Sequence, residues 1–179
     1  MAIRPARDDD FDAITAITNH YITTTSIHFA WEPLSVDELR AMCKPRFPWL
    51  VTEEAGQVLG YAKAGTWRER KAYDWTVETG IYIAPDARGR GLGKPLYVAL
   101  LDELTVRGFH TVVAGITLPN DPSVAIHEQL GFTACGVVED AGWKMDGWHA
   151  VGFWQKKLAE RSEAANVRAA GSSPPAATR

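Results

Sequence analysis

Six residues, Arg88-Gly89-Arg90-Gly91-Leu92-Gly93, stand between an apolar run, Ile81-Tyr82-Ile83, and a stretch of helical character from Leu96 to Leu104. A strand, a glycine turn and a helix in that order build a cradle for a pyrophosphate. Glycine lets the backbone take positive φ and come close to a ligand. The amides so exposed join the unpaired N–H groups and the positive dipole end of the following helix to make an anion site. Arg88 and Arg90 add charge at longer range. Gly93 is followed by Lys94-Pro95, with no Ser or Thr after the lysine, which disfavours a nucleoside-triphosphate loop. A dinucleotide loop would need a glycine at 94 or 96, where Lys94 and Leu96 stand. What remains is a different pyrophosphate carrier, or a plain glycine turn joining a strand to a helix.

The cradle needs strands and helices around it, and the rest of the chain reads as their alternation. Ile3 to Pro5 is a short strand, and Asp8-Asp9-Asp10 offers N-cap carboxylates to a helix whose apolar positions Phe11, Ile14, Ile17 and Tyr21 recur every three or four residues. A loop with Phe29 and Trp31 follows. Ser35 caps a second helix, Val36 to Cys43, which Pro45 and Pro48 end. Leu50 to Glu53 and Val58 to Ala62 form a hairpin about Gly56-Gln57, and Trp75 to Ile83 is the strand that enters the glycine turn. Beyond it lie a strand at Thr111 to Thr117 and a short helix from Asn120-Asp121-Pro122 to Leu130, stopped by Gly131. Strands at Phe132 to Glu139 and Trp148 to Lys156 complete the pattern. The fold class is α/β with segregated elements (α+β), residues 1–158 forming one domain. Residues 159–179, rich in Ala, Ser, Pro and Arg without periodicity, read as a disordered tail.

Composition narrows the function. A chain of 179 residues, 46% hydrophobic and 23% charged, has material for one full core and no second domain. Its net charge of −3 gives no sign of nucleic acid or an anionic membrane as partner. Cys43 and Cys135 lack partners at metal-ligand spacing, so neither a metal site nor a disulfide framework is expected. No signal peptide opens the chain, and no apolar run reaches the roughly eighteen residues of a membrane span. A cytoplasmic location is the expectation. Several of the seven tryptophans flank polar residues, which suits a ligand cleft or subunit interface as well as a core.

The loop Arg88 to Gly93 resembles the acetyl-coenzyme A loop of the GNAT superfamily of N-acetyltransferases. Asn19-His20-Tyr21-Ile22, Ala72-Tyr73-Asp74-Trp75-Thr76-Val77-Glu78, Leu118-Pro119-Asn120-Asp121-Pro122-Ser123-Val124 and the segment from Gly147-Trp148-His149 to Gln155 are similar to one branch of it. That branch comprises phosphinothricin N-acetyltransferases and relatives acting on methionine sulfone or sulfoximine. The resemblance covers about residues 2 to 157. It implies a mixed, mostly antiparallel sheet of six to seven strands, splayed at the cofactor site and flanked by about four helices.

The resemblance also implies roles. Main-chain groups of Ile81, Tyr82 and Ile83 would pair with the pantetheine arm, and Arg88, Gly89, Arg90, Gly91, Leu92, Gly93 and Lys94 would hold the pyrophosphate. Asn120 and Ser123 would approach the cofactor further along, unless Asn120 only caps its helix. Glu78 matches the family's general base. By spacing alone it reads as a solvent-facing strand carboxylate, and its ordinary pKa of about 4.3 must rise, or a water must intervene, for it to take a proton from an amine. His127 stands where many members carry a tyrosine thought to protonate the leaving thiolate; it could orient substrate, assist proton transfer or fill space. Arg68, Arg70 and Tyr73 match the segment that receives the acceptor's anionic groups, and Thr79, Gly80, Glu78 and Phe29 complete that side. Arg68 to Lys71 reads equally as a solvated turn, and Phe29 with Trp31 as lid or as core. The implied reaction is direct transfer from acetyl-CoA to a glutamate-like amine such as phosphinothricin, with methionine sulfone, sulfoximine or an arsenic analogue as alternative acceptors and a coenzyme-binding sensor as the non-enzyme alternative. A homodimer is implied, and herbicide or antibiotic resistance is the expected consequence.

Overall fold

Alternate residues along each strand bury on opposite faces of a single sheet, so the pattern of small and large apolar side chains decides which helix covers which face. The computed structural model describes residues 1–158; the tail expected at 159–179 lies outside the described residues. Strands β1 (Ala2–Pro5), β2 (Trp49–Glu54), β3 (Gln57–Thr66), β4 (Thr76–Ile83), β5 (Thr111–Leu118), β6 (Thr133–Lys144) and β7 (Gly147–Lys157) hydrogen-bond in the order β1-β2-β3-β4-β5-β7-β6. Helices α1 (Phe11–Thr24), α2 (Val36–Met42), α3 (Gly93–Val106) and α4 (Asp121–Gln129) flank them. On one face Ala62, Ala64, Val77 and Val112 lie under Leu96, Leu100 and Leu104 of α3. On the other, Trp49, Val51 and Tyr61 lie under Phe11, Ile14 and Ile17 of α1 and Leu39 of α2. Each leucine fully buried this way stabilises the fold by about 1.5–3 kcal/mol.

Every neighbouring pair of strands is antiparallel except β4 and β5, which are parallel. That pair is short. Thr76, Val77 and Glu78 meet Thr111, Val112 and Val113, and there the register ends. β4 continues to pair with β3 as far as Ile83, and β5 with β7 as far as Leu118. The sheet therefore forks between residues 79–83 of β4 and 114–118 of β5, leaving main-chain groups of two strand edges unpaired with each other.

Several boundaries differ from the sequence expectation. Asp8 to Asp10 form a 3-10 turn rather than caps for α1. The Asp10 carboxylate accepts from the Arg7 backbone N–H at 2.7 Å and from Arg4 at 2.6 and 2.8 Å, and makes no side-chain cap on α1. α3 starts at Gly93, three residues before Leu96, because Pro95 falls in the first turn, where its missing N–H has no intrahelical partner to lose. β6 runs on past Glu139 to Lys144: the residues that look like a turn are a bulge, with a register shift between Val138 and Gly142 and Asp140 at φ 47°.

Arg4 bridges Asp10 and Glu53, tying the start of α1 to the β1–β2 edge. Arg4 holds the Asp10 carboxyl below the usual carboxylate range. A depressed folded-state pKa contributes stability at pH above the ordinary carboxylate value, and that contribution is lost as pH falls through and below it. Arg4 keeps 17% of its side chain exposed, so the pair lies between the surface and buried limits. Asp10→Ala is expected to lower stability by about 2 kcal/mol in urea denaturation at pH 7, with the effect shrinking progressively as pH falls below the ordinary carboxylate value.

Candidate active site at the fork of the sheet

The glycine loop meets the fork at its open end. Gly89 and Gly91 adopt φ of 73° and 74°, and a Cβ built at either would have no atom within 4 Å, so glycine is needed there for backbone conformation and not for space. Gly93 serves close packing instead, its would-be Cβ lying 3.2 Å from Ile126 of α4. The loop leads straight into the first turn of α3, whose N–H groups lack helical partners. Arg88 is fixed by Tyr21: its Nε donates to the phenol oxygen at 3.2 Å, and the phenol donates to the Ile83 carbonyl at 2.7 Å. Arg90 turns outward to Glu54 at 2.6 Å.

A cleft of about 650 Å³ runs from this loop into the fork. Its walls include Thr79, Gly80, Ile81, Tyr82 and Ile83 from β4, and Arg88, Gly89, Gly91, Leu92, Gly93 and Lys94 from the loop and α3. Asn120, Ser123 and His127 close it from the α4 side. Of the residues expected on the cofactor side, all but Arg90 line this one cleft; Glu78, Phe29, Arg68, Arg70 and Tyr73 do not. Asn120 caps α4 through its side-chain oxygen, which accepts from Ser123 N–H at 3.3 Å, and it also lines the cleft.

At the apex of the fork three side chains form one buried hydrogen-bonded chain. His127 Nδ1 lies 2.6 Å from the Ser123 carbonyl, which can only accept, so Nδ1 carries the proton. Burial lowers the imidazole pKa and keeps it neutral, which leaves Nε2 as an acceptor for the Tyr97 hydroxyl at 3.0 Å. Tyr97 in turn accepts from Thr79 Oγ1 at 2.6 Å. With that proton used, Thr79 offers lone pairs to the cleft it lines. Both ring nitrogens of His127 are therefore engaged.

Glu78 is the last residue of the β4–β5 pairing, and its Oε1 lies 3.4 Å from the point a Cβ would occupy at Gly115 on β5. Glu78 is solvent-exposed, as its strand spacing alone suggested, and is not among the residues lining the cleft. Partial desolvation of its carboxyl still raises its pKa, and the charge of Lys63 partly opposes the rise. Lys63 itself is depressed by burial. The remaining acceptor-side residues are dispersed. Arg68 and Tyr73 line a second, smaller cleft of about 270 Å³ with Arg46 and Asp74. The Arg68 guanidinium stands 5.2 Å over Trp67, whose ring packs edge-on against Phe153 at 5.9 Å. Arg70 is exposed ahead of the 3-10 turn Lys71–Tyr73 and lines neither cleft. Phe29 packs over Gly142, 2.5 Å from its would-be Cβ, whereas Trp31 is 68% exposed.

Four residues escaped the sequence reading. Lys63 is a single charge within the strand Gly60-Tyr61-Ala62-Lys63-Ala64, and that break in an apolar run was the available signal. Tyr97 and Tyr21 read as apolar helix positions because nothing in spacing reveals where a hydroxyl points. His28, pushed down to about 4 by burial and by Lys63 and Lys144, is brought in by its loop.

Comparison with known proteins agrees with the architecture. Residues 14–132 match the model of the acetyltransferase (GNAT) family. The chain is 49% identical over 160 residues to a phosphinothricin N-acetyltransferase of Streptomyces viridochromogenes, covering 87% of each. It is 37% identical to an L-methionine sulfoximine/L-methionine sulfone acetyltransferase of Salmonella typhimurium, covering 90% of this chain and 97% of the relative. A GNAT superfamily phosphinothricin acetyltransferase of Sinorhizobium meliloti, solved in complex with acetyl-CoA, superposes with a TM-score of 0.84 at 33% identity over 88% of each chain.

Tyr97→Phe keeps the ring stacked on Phe132 but leaves His127 Nε2 without its partner and the Thr79 hydroxyl with only the longer contact to the Val113 carbonyl at 3.4 Å. An unmet buried polar group costs about 1–3 kcal/mol, and urea denaturation should show a loss of that size. The double variant Thr79→Val with Tyr97→Phe should lose less than the sum of the two single losses.

Proposed function

The chain belongs to the acetyltransferase (GNAT) family, and from that membership we propose that it transfers the acetyl group of acetyl-CoA to the amino group of a small glutamate-like amino acid such as phosphinothricin. The observation that carries this reading is the fork: a positive-φ glycine loop running into a helix N-terminus at its open end, an unpaired strand edge along it, and one carboxylate, Glu78, where the strands part. Bound acetyl-CoA would supply an activated thioester carbonyl. Gly89, Gly91 and the first turn of α3 would hold its diphosphate, with Arg88 positioned by Tyr21. Main-chain groups of the β4 segment Ile81 to Ile83, beyond the β4–β5 pairing, would meet the amides of the pantetheine arm, the Ile83 carbonyl being already engaged by Tyr21.

An amine attacks a carbonyl only through its neutral nitrogen, and an α-amino group at pH 7 is largely protonated. Glu78 takes that proton; desolvation raises its basicity toward the task. His127 stays neutral, and with Tyr97 it holds Thr79 in place. Transfer is direct, in a ternary complex, in this reading; neither Cys43 nor Cys135 lines the cleft. Arg68, Arg70 and Tyr73 reach the acceptor's anionic end by side-chain movement from the loop between β3 and β4. Methionine sulfone or sulfoximine is the second acceptor reading, favoured by the Salmonella relative. The exposed Trp143, Trp148, Val137 and Val138 on β6 and β7 support a homodimer. None of the described helices is long and apolar enough to cross a membrane, and a cytoplasmic enzyme conferring tolerance to such amines is the matching biological role.

Glu78→Gln should lower kcat by about 10²–10⁴-fold while calorimetry shows acetyl-CoA affinity within about threefold of wild type; unchanged turnover would leave a coenzyme-binding sensor as the better reading. In the wild type, kcat/KM should fall as pH drops through the raised Glu78 pKa, the half-point lying above the ordinary glutamate value. Gly89→Ala, which meets no atom but forces an L-residue to positive φ, should weaken acetyl-CoA binding about five- to thirtyfold, the equivalent of about 1–2 kcal/mol, with little effect on the KM for the amine.

A further inference from the structure

Lys63 is a cation for which the fold provides no hydrogen-bonded anion. It sits on β3 opposite Gly80, and among the described residues it forms no hydrogen bond or ion pair. Its stem crosses the space that Gly80 leaves open, Cε lying 3.9 Å from where a Cβ would stand. Its ammonium rests 5.0 Å from the centre of the Trp49 ring, the first of a stack that continues through Tyr61 to Tyr82. Glu78, one strand over and diagonal to it across the β3–β4 register, is the carboxylate whose charge it feels, and His28 faces it from the α1–α2 loop. When Glu78 receives a proton, that anion disappears and Lys63 is left uncompensated in a half-buried site.

From this arrangement we infer that Lys63 selects the acceptor by pairing with an anionic side-chain group, a phosphinate or carboxylate, while Glu78 receives the amine. The inference rests on the acetyltransferase reading above and narrows it: a doubly anionic amino acid supplies the charge that Lys63 lacks, and a neutral sulfone does not. Ammonium is a suitable partner here because a point charge accepts a tetrahedral or planar anion alike.

The test compares kcat/KM for phosphinothricin and for methionine sulfone, with acetyl-CoA as donor, in the wild type and in Lys63→Met, Lys63→Gln and Lys63→Arg. The wild type should favour the phosphinate. In Lys63→Met and Lys63→Gln the ratio of the two values should fall about tenfold or more, the weight of one charge-assisted hydrogen bond, and Lys63→Arg should recover most of it. Either neutral variant suffices if the other does not fold, with acetyl-CoA affinity as the check on folding. A ratio within about twofold of wild type in the neutral variants, or a wild type that favours the sulfone, overturns the inference and leaves the acetyltransferase reading intact. A wild type that binds acetyl-CoA but acetylates neither amine overturns both.

Discussion

The separation of β4 from β5 after three paired residues is the constraint on which the site depends. A continuous sheet would satisfy the backbone groups of residues 79–83 and 114–118 with one another and leave nothing for a ligand. Here each strand keeps its outer neighbour, so the edges are held rigidly apart without being paired. Such exposed edges would be a liability in an ordinary sheet. In this one they face a cleft, and the Thr79–Tyr97–His127 chain closes its apex by joining β4 to α3 and α4.

The fork also arranges the charges. Unpaired backbone N–H groups gather at its mouth, where Gly89, Gly91 and the N-terminus of α3 meet. Burial keeps His127 at the apex and the loop residue His28 neutral and depresses Lys63, whereas the exposed Glu78 is raised by partial desolvation of its carboxyl.

The glycine loop and the helix periodicities were legible because both are local. Positive φ at Gly89 and Gly91, the capping of α2 by Ser35 and the apolar stripe of α1 each depend on residues a few positions apart. Boundaries were misread where tertiary contacts outweigh local preference. Asp10 looks like a helix cap, yet its carboxylate turns to Arg4 because a guanidinium offers two charged donors where the helix offers one neutral N–H. β6 continues past Glu139 because β7 supplies partners beyond the bulge, which nothing in residues 139–142 announces.

By itself the sequence determined which elements form, where the positive-φ glycine loop lies and, through resemblance, the family. Those properties follow from backbone conformation and short-range spacing. Only the tertiary structure decided that Tyr97 holds Thr79, that Tyr21 orders Arg88, that Arg68 lies on Trp67 beside its own small cleft, and that Lys63 stands beside Glu78. Each of these depends on where a side chain from one element ends relative to another. Helix and strand periodicity define a face, but the end point of a hydroxyl or an ammonium is set by packing between elements far apart in the chain.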